Sequence, residues 1–149
     1  MSELKLLGMR ESHLPGVIEI ERESFRSPWS ERLFRTELDR PEVAEWFVVM
    51  EEETVVGYGG LLQVGSEGHI TNLAVRHDRR RHGIGRTILE RLLAAAKQRG
   101  IGSLTLEVRE SNEAAIEMYE QAGFHVVGRR KRYYPEDDED ALIMWNYEL

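Results

Sequence analysis

The hydrophobic positions change period along the chain, and each change marks an element. Residues 4–9, Leu-Lys-Leu-Leu-Gly-Met, make a short apolar run suited to a strand. Leu14, Val17, Ile18 and Phe25 then form a helical stripe. Ser12 is placed to cap that helix, and Pro15 is tolerated in its first turn. Ser-Pro-Trp-Ser breaks the stripe, and Ser30 opens a second helix over residues 31–40, which Pro41 ends. Residues 45–51, 54–64 and 69–75 are rich in β-branched and aromatic side chains and are separated by short polar or glycine-bearing turns. They predict three antiparallel strands. The period returns to 3.6 over residues 83–100, where Ile84, Ile88, Leu89, Leu92 and Leu93 share a face and Gly100 stops the helix. A strand over 103–108 and a helix over 113–122, capped by Asn112 and ended by Gly123, follow. Residues 124–134 and 141–149 read as two last strands around an acidic turn.

The predicted order is β-α-α-β-β-β-α-β-α-β-β. A meander followed by a β-α-β crossover indicates an α/β chain with a mixed sheet, of the α+β kind, and not a repeated doubly wound fold. With 149 residues and no repeat or linker, one domain spanning 1–149 is expected. A formal charge of −7 argues against a general nucleic-acid binder, which needs a broad basic footprint, so no DNA partner is expected. Without cysteine there is no disulfide, thiolate metal site or cysteine nucleophile. No apolar run reaches a membrane span, and the first residues have no signal-peptide core. A soluble, cytoplasmic protein is expected.

Against the acidic background, residues 79–86 concentrate positive charge: Arg79, Arg80 and Arg81, then His82-Gly83-Ile84-Gly85-Arg86. The glycines allow a sharp turn and close approach of a ligand. The first amides of the helix that begins here have no intrahelical acceptor, and its dipole adds positive potential. Such an end binds phosphate. A P-loop would need a Gly-Lys-Ser/Thr ending that is missing here. A dinucleotide turn would need a third glycine where Ile88 stands and a tight turn where three arginines and His82 intervene.

The pattern Arg80-x-x-Gly83-x-Gly85 resembles the acetyl-CoA signature of the GCN5-related N-acetyltransferase (GNAT) superfamily. Asn72-Leu73-Ala74-Val75 and residues 111–124 are similar to its other motifs, and the resemblance covers nearly the whole chain. Residues 26–30, 106–124 and 129–144 look like the bacterial ribosomal-protein-alanine N-acetyltransferases, the RimI type. The resemblance implies the GNAT acyl-CoA N-acyltransferase fold, acetyl-CoA as co-substrate, and a protein or peptide N-terminus, that of a ribosomal protein, as acceptor. It implies Glu107 as general base and Tyr119 as general acid toward the CoA sulfur. Leu73, Ala74 and Val75 would face the pantetheine arm, and Arg80, Arg81, His82, Gly83, Ile84, Gly85 and Arg86 the pyrophosphate. Asn112 and Tyr119 would also contact the cofactor. Trp29, Tyr133 and Tyr134 resemble parts of the family's peptide groove.

From composition alone, Glu107 reads first as an exposed strand-end carboxylate, which the motif context reverses, and Tyr119 also reads as a core tyrosine spaced with Ala115, Ile116 and Ala122. Trp29 reads as packing at a helix corner. The run Glu136–Asp140 reads first as a solvated hairpin tip, and second as an attractor for a basic peptide. Arg129, Arg130, Lys131 and Arg132 read first as its counterweight. The five histidines show no metal-ligand spacing, so no metal is expected. Acetylation of a lysine or a small amine, and a catalytically silent acyl-CoA-binding module, remain open as alternatives.

Overall fold

The computed structural model describes residues 3–134 and 139–149. Pro135, Glu136, Asp137 and Asp138, which carry most of the predicted acidic turn, lie outside the described residues. The chain forms two compact units, residues 1–62 with 70–95, and residues 63–69 with 96–149.

In the first unit β1 (Leu4–Gly8) pairs antiparallel with β2 (Ala44–Glu51), and β2 with β3 (Thr54–Val64). Next in order is β4 (Glu67–Val75), which contributes residues 70–75. Helices α1 (Leu14–Ser24), α2 (Glu31–Leu38) and α3 (Ile84–Gln98) complete it, with α3 contributing as far as Ala95. Leu14, Val17, Ile20, Phe34, Trp46, Val48 and Tyr58 are buried together. Ser30 caps α2 as predicted, its Oγ accepting from the Leu33 amide at 3.3 Å. The expected cap at Ser12 is a correction. Residues Glu11–His13 form a short 3-10 turn, Ser12 lies inside it, and the residue before α1 is His13. The turn is closed by the Arg10 amide donating to His13 Nδ1 at 2.9 Å.

Ile84, Ile88, Leu89 and Leu92 are buried as the pattern requires, whereas Leu93 is only half-buried and Ala95 and Ala96 take the interior positions. Gly57 and Gly59 on β3 explain how closely α3 packs. A Cβ at Gly57 would lie 3.0 Å from Ile84 and Ile88, and one at Gly59 2.6 Å from Ile88. These glycines set the height of the α3 N-terminus over β3 and so fix where its first turn points.

In the second unit, residues 67–69 of β4 run parallel to β5 (Ser103–Arg109), pairing Glu67 with Ser103 and His69 with Thr105. β5 pairs antiparallel with β7 (Glu139–Asn146), and β7 with β6 (His125–Tyr134). The order β4-β5-β7-β6 leaves β6 at the edge. Asn112 caps α4 (Glu113–Gln121), accepting from the Ala115 amide at 3.2 Å. Along β5, burial alternates: Leu104, Leu106 and Val108 point inward with Tyr119, Phe124 and Met144. Thr105, Glu107 and Arg109 therefore share the opposite face. This alternation places the polar chemistry of the second unit.

Candidate active site

In the second unit, Glu107 is the centre of a polar cluster that strand pairing assembles. Its Oε2 lies 2.7 Å from Nε2 of His69, carried on the neighbouring parallel strand. Its Oε1 lies 3.7 Å from the Arg130 guanidinium of β6. The His69 hydrogen bond holds the Glu107 carboxyl below the ordinary carboxylate range. Partial burial opposes that shift, and the charges of His69 and Arg130 reinforce it. Glu107 is thus an ionised carboxylate at neutral pH, with its side chain 15% exposed.

Tyr133 and Tyr134 reach the same cluster. Their rings meet edge to face at 5.1 Å, the Arg109 guanidinium lies 4.0 Å over Tyr134, and Arg130 lies 5.7 Å over Tyr133. Burial pushes the Tyr134 hydroxyl up to about 12. Tyr119, on α4, is buried and packs edge to face on Phe124 at 5.8 Å. Burial, and then the nearby Tyr134, raise its hydroxyl well above the ordinary phenol range, so it stays protonated at neutral pH. The second unit therefore brings Glu107 together with Tyr133 and Tyr134 and adds His69 and Arg109, whereas Tyr119 packs on Phe124 and reaches this cluster only through the nearby Tyr134. His69 has no sequence signal, because its partner is 38 positions away across a strand pairing.

Arg129 links the basic cluster to the acidic one. Arg129 bonds Glu110 at 2.6 Å and Asp140 at 3.0 Å, and the Arg132 amide donates to Asp140. Glu139 accepts from the Ser111 hydroxyl at 2.6 Å and lies 3.8 Å from Arg109. This corrects the solvated-tip expectation for Glu139 and Asp140. Both are committed to partners, while residues 136–138 of that run lie outside the described residues.

In the first unit, Leu73 and Val75 are half-buried and Ala74 is buried near the end of β4. Between β4 and α3 the backbone turns sharply, with positive φ at Arg81 (67°) and Gly83 (79°). Nothing lies within 4 Å of a Cβ built at Gly83, so glycine is needed there for its backbone angle and not for lack of room. Arg81, His82, Gly83 and Arg86 are exposed. This open, cationic turn leading into a 15-residue helix fits an anionic pyrophosphate. Arg80 is partly committed, its Nε donating to the Val75 carbonyl at 3.1 Å. Arg79 is a correction to the phosphate reading, because its guanidinium pairs with Glu51 at 2.8 Å and with Asp78. Among the described residues no group of three or more acidic or histidine side chains is arranged to hold a metal ion.

Trp29 packs against Phe34 at 5.2 Å and Trp46 at 5.7 Å, which is the corner-packing arrangement. Its amide donates to Glu21 Oε2 at 2.8 Å. Glu21 is 1% exposed, and its Oε1 also accepts from the Tyr58 hydroxyl and from Asn72 Nδ2. This buried carboxylate was not picked out from the sequence. The available signal was a charge at position 21 continuing the apolar stripe of Leu14, Val17 and Ile18.

The cationic turn at the start of α3, and in the other unit the ionised Glu107 carboxylate and the protonated Tyr119, are the features from which the sequence resemblance implied an acyltransferase with an acyl-CoA donor. The comparisons agree. The pattern of the Acetyltransferase (GNAT) family matches residues 14–124. The ribosomal protein bS18-alanine N-acetyltransferase of Escherichia coli K12 is 38% identical over 133 residues, covering 88% of each chain. The crystal structure of the ribosomal-protein-S18-alanine N-acetyltransferase from Escherichia coli is similar with a TM-score of 0.88 at 32% identity, over 99% of this chain and 96% of that one. That of Ard1 from Thermoplasma volcanium gives 0.90 at 25% identity over 98% of each. The chain belongs to the GNAT acetyltransferase family, which takes its acetyl group from acetyl-CoA. No helix among the described residues is long and apolar enough to cross a membrane.

Proposed function

We propose that the chain acetylates the N-terminal alanine of a ribosomal protein, bS18, by direct transfer from acetyl-CoA in the cytoplasm, and that residues 1–149 act as one catalytic domain. The observation that carries the chemistry is the Glu107 carboxylate, held ionised by His69 on a face shared with the Arg109, Tyr133 and Tyr134 cluster. The relatives' named substrate supports the choice of acceptor. The family pattern runs through segments of both units, which supports one working domain.

Acetyl-CoA supplies an acetyl thioester. The exposed side chains of Arg81, His82 and Arg86 and the backbone of Gly83, Ile84 and Gly85 bind its pyrophosphate, the Ile84 side chain itself being buried in the core. Arg80 braces that turn through Val75. Leu73, Ala74 and Val75 present backbone groups to the pantetheine arm, and Asn112 adds a contact besides its capping role. A peptide α-amine has a pKa of about 7.7–8.0, so a useful fraction is neutral near pH 7, whereas a lysine amine at about 10.4 is not. A weak, ionised base such as Glu107 suffices for the first and is poorly matched to the second. This favours α-amine over lysine acetylation.

Tyr119 donates toward the departing sulfur. Its raised pKa makes it a weaker acid than a thiol of pKa about 8.5, so its main contribution is a hydrogen bond to the developing thiolate. Tyr119→Phe is expected to lower kcat by about 10- to 100-fold with the acetyl-CoA dissociation constant unchanged. Steady-state rates on an alanine-initiated bS18 peptide, with calorimetry for the donor, check this. Unchanged kcat would remove Tyr119 from the mechanism. Trp29, Tyr133 and Tyr134 are the proposed peptide contacts, with Trp29 acting from its packed position.

A further inference from the structure

His69 has a ring nitrogen within hydrogen-bond distance of the base and belongs to none of the motifs that defined the site. We propose that His69 is a positioning residue for the transfer: its Nε2 holds Oε2 of Glu107, so that Oε1 is the oxygen that takes the proton of the acceptor amine. The inference deepens the reading of Glu107 as base and rests on it.

The proton's location follows from the partner. An ionised carboxylate only accepts hydrogen bonds, so in the 2.7 Å contact the shared proton sits on Nε2 and the imidazole donates. A charge-assisted bond of this length fixes the rotation of the carboxylate. The second oxygen is treated differently. Arg130 Nη2 stands 3.7 Å from Oε1, beyond hydrogen-bond reach, and lends charge without occupying a lone pair. The two oxygens are thus unequal, one occupied and one open. In the transfer, an amine N–H bond breaks and an Oε1–H bond forms. The lone pair of the neutral amine makes the N–C bond, the pair of the broken N–H bond stays on nitrogen, and the C–S pair leaves on sulfur.

The fold supplies the pairing through strand register. His69 lies opposite Thr105 in the short parallel ladder, and Glu107 is the next residue on the same face of β5. The other groups near Glu107 are accounted for. Arg130 and Tyr134 come from β6, Arg109 sits over the Tyr134 ring, Tyr119 on α4 is felt by way of Tyr134, and Ile143 of β7 is its apolar register partner. Among these, His69 lowers the Glu107 carboxyl most, and partial burial opposes it. Loss of the imidazole leaves burial the stronger influence, so the carboxyl rises and the base begins to protonate closer to neutral pH. At about 35% exposure His69 is replaceable without opening the core.

The test compares His69→Ala, His69→Asn, His69→Gln and Glu107→Gln with the unaltered protein, using acetyl-CoA and an alanine-initiated bS18 peptide across pH. His69→Ala and the too-short His69→Asn should lose about tenfold in kcat at neutral pH, the factor set by one good hydrogen bond. The acetyl-CoA KM should not change, and the loss of rate set by protonation of the Glu107 carboxyl, which lies on the acid side of the substrate-amine limb, should begin at higher pH. His69→Gln, whose amide reaches the same point, should restore most of the rate. Carbon-13 titration of the Glu107 carboxyl, which needs no substrate, should show the same upward movement in His69→Ala. Profiles and titrations that superimpose on the unaltered protein, with Glu107→Gln inactive, would overturn the role of His69 and leave the base assignment standing. A fully active Glu107→Gln would instead overturn the base assignment on which the proposal rests.

Discussion

Glu107→Gln is expected to lower kcat by about 10²- to 10⁴-fold, the range contributed by a positioned general base. The amide keeps the shape of the carboxylate and can still accept from His69, so packing along β5 should survive. What is lost is the proton acceptor. The proposed donor-binding residues 80–86 are unchanged in this variant, so the acetyl-CoA dissociation constant should stay within about twofold of the original. The pH profile adds a second check. With the Glu107 carboxyl held low by His69, the base is ionised throughout the neutral range. The rise of kcat/KM with pH should then follow the substrate α-amine near 7.7–8.0 and not the enzyme carboxylate. A profile that rises instead near the ordinary range of a buried carboxyl would mean that His69 does not hold Glu107 in solution.

Replacing the buried carboxylate of the first unit should give the largest loss of stability. Glu21→Ala strands three donors, the Trp29 amide, the Tyr58 hydroxyl and Asn72 Nδ2, in a site that is 1% exposed. At about 1–3 kcal/mol for each stranded buried donor, and with entering water meeting part of the need, a loss of about 3 kcal/mol is expected in urea unfolding. The pH dependence has a definite sign. Burial raises the Glu21 carboxyl above its unfolded value, and the three hydrogen bonds only partly oppose this. A group with a raised folded pKa contributes stability below its unfolded pKa and loses that contribution as pH rises through the folded one. Glu21→Gln should remove this pH-dependent component. A Glu21→Ala protein as stable as the original would show that the three donors find other partners. Because Glu21 anchors the Trp29 amide, the same variant should also raise the KM for peptide more than that for acetyl-CoA, if the loop holding Trp29 contacts the acceptor.

The element order was readable because local rules governed it. Ser30 and Asn112 cap the helices they precede, and β3 spans the predicted residues 54–64. Ser12 misled because His13 could close the preceding turn through its own ring nitrogen, a side-chain detail that helix-start statistics do not contain. Leu93 is half-buried where the apolar stripe predicted a core position, while Ala95 and Ala96 are buried, a choice between neighbouring helix positions that apolar spacing alone does not make. The parallel pairing of β4 with β5 involves only three register pairs, yet it places His69 against Glu107. Such a long-range pairing leaves no spacing in the sequence. The Arg79 side chain looked available for phosphate because its partner Glu51 lies 28 positions earlier. Glu21 was hidden among the neighbouring Glu19 and Glu23, and only its place on the apolar stripe set it apart.

Transfer of the acetyl group to a peptide α-nitrogen is what distinguishes this enzyme from a lysine or small-amine acetyltransferase. The most direct measurement uses an alanine-initiated bS18 peptide carrying an internal lysine, incubated with the purified protein and acetyl-CoA, and locates the acetyl group by fragment mass spectrometry. One acetyl group is expected on the alanine nitrogen, none on the lysine, and none on a peptide whose N-terminus is blocked. Acetyl on the lysine, or equal labelling of the blocked peptide, would contradict transfer to the α-nitrogen.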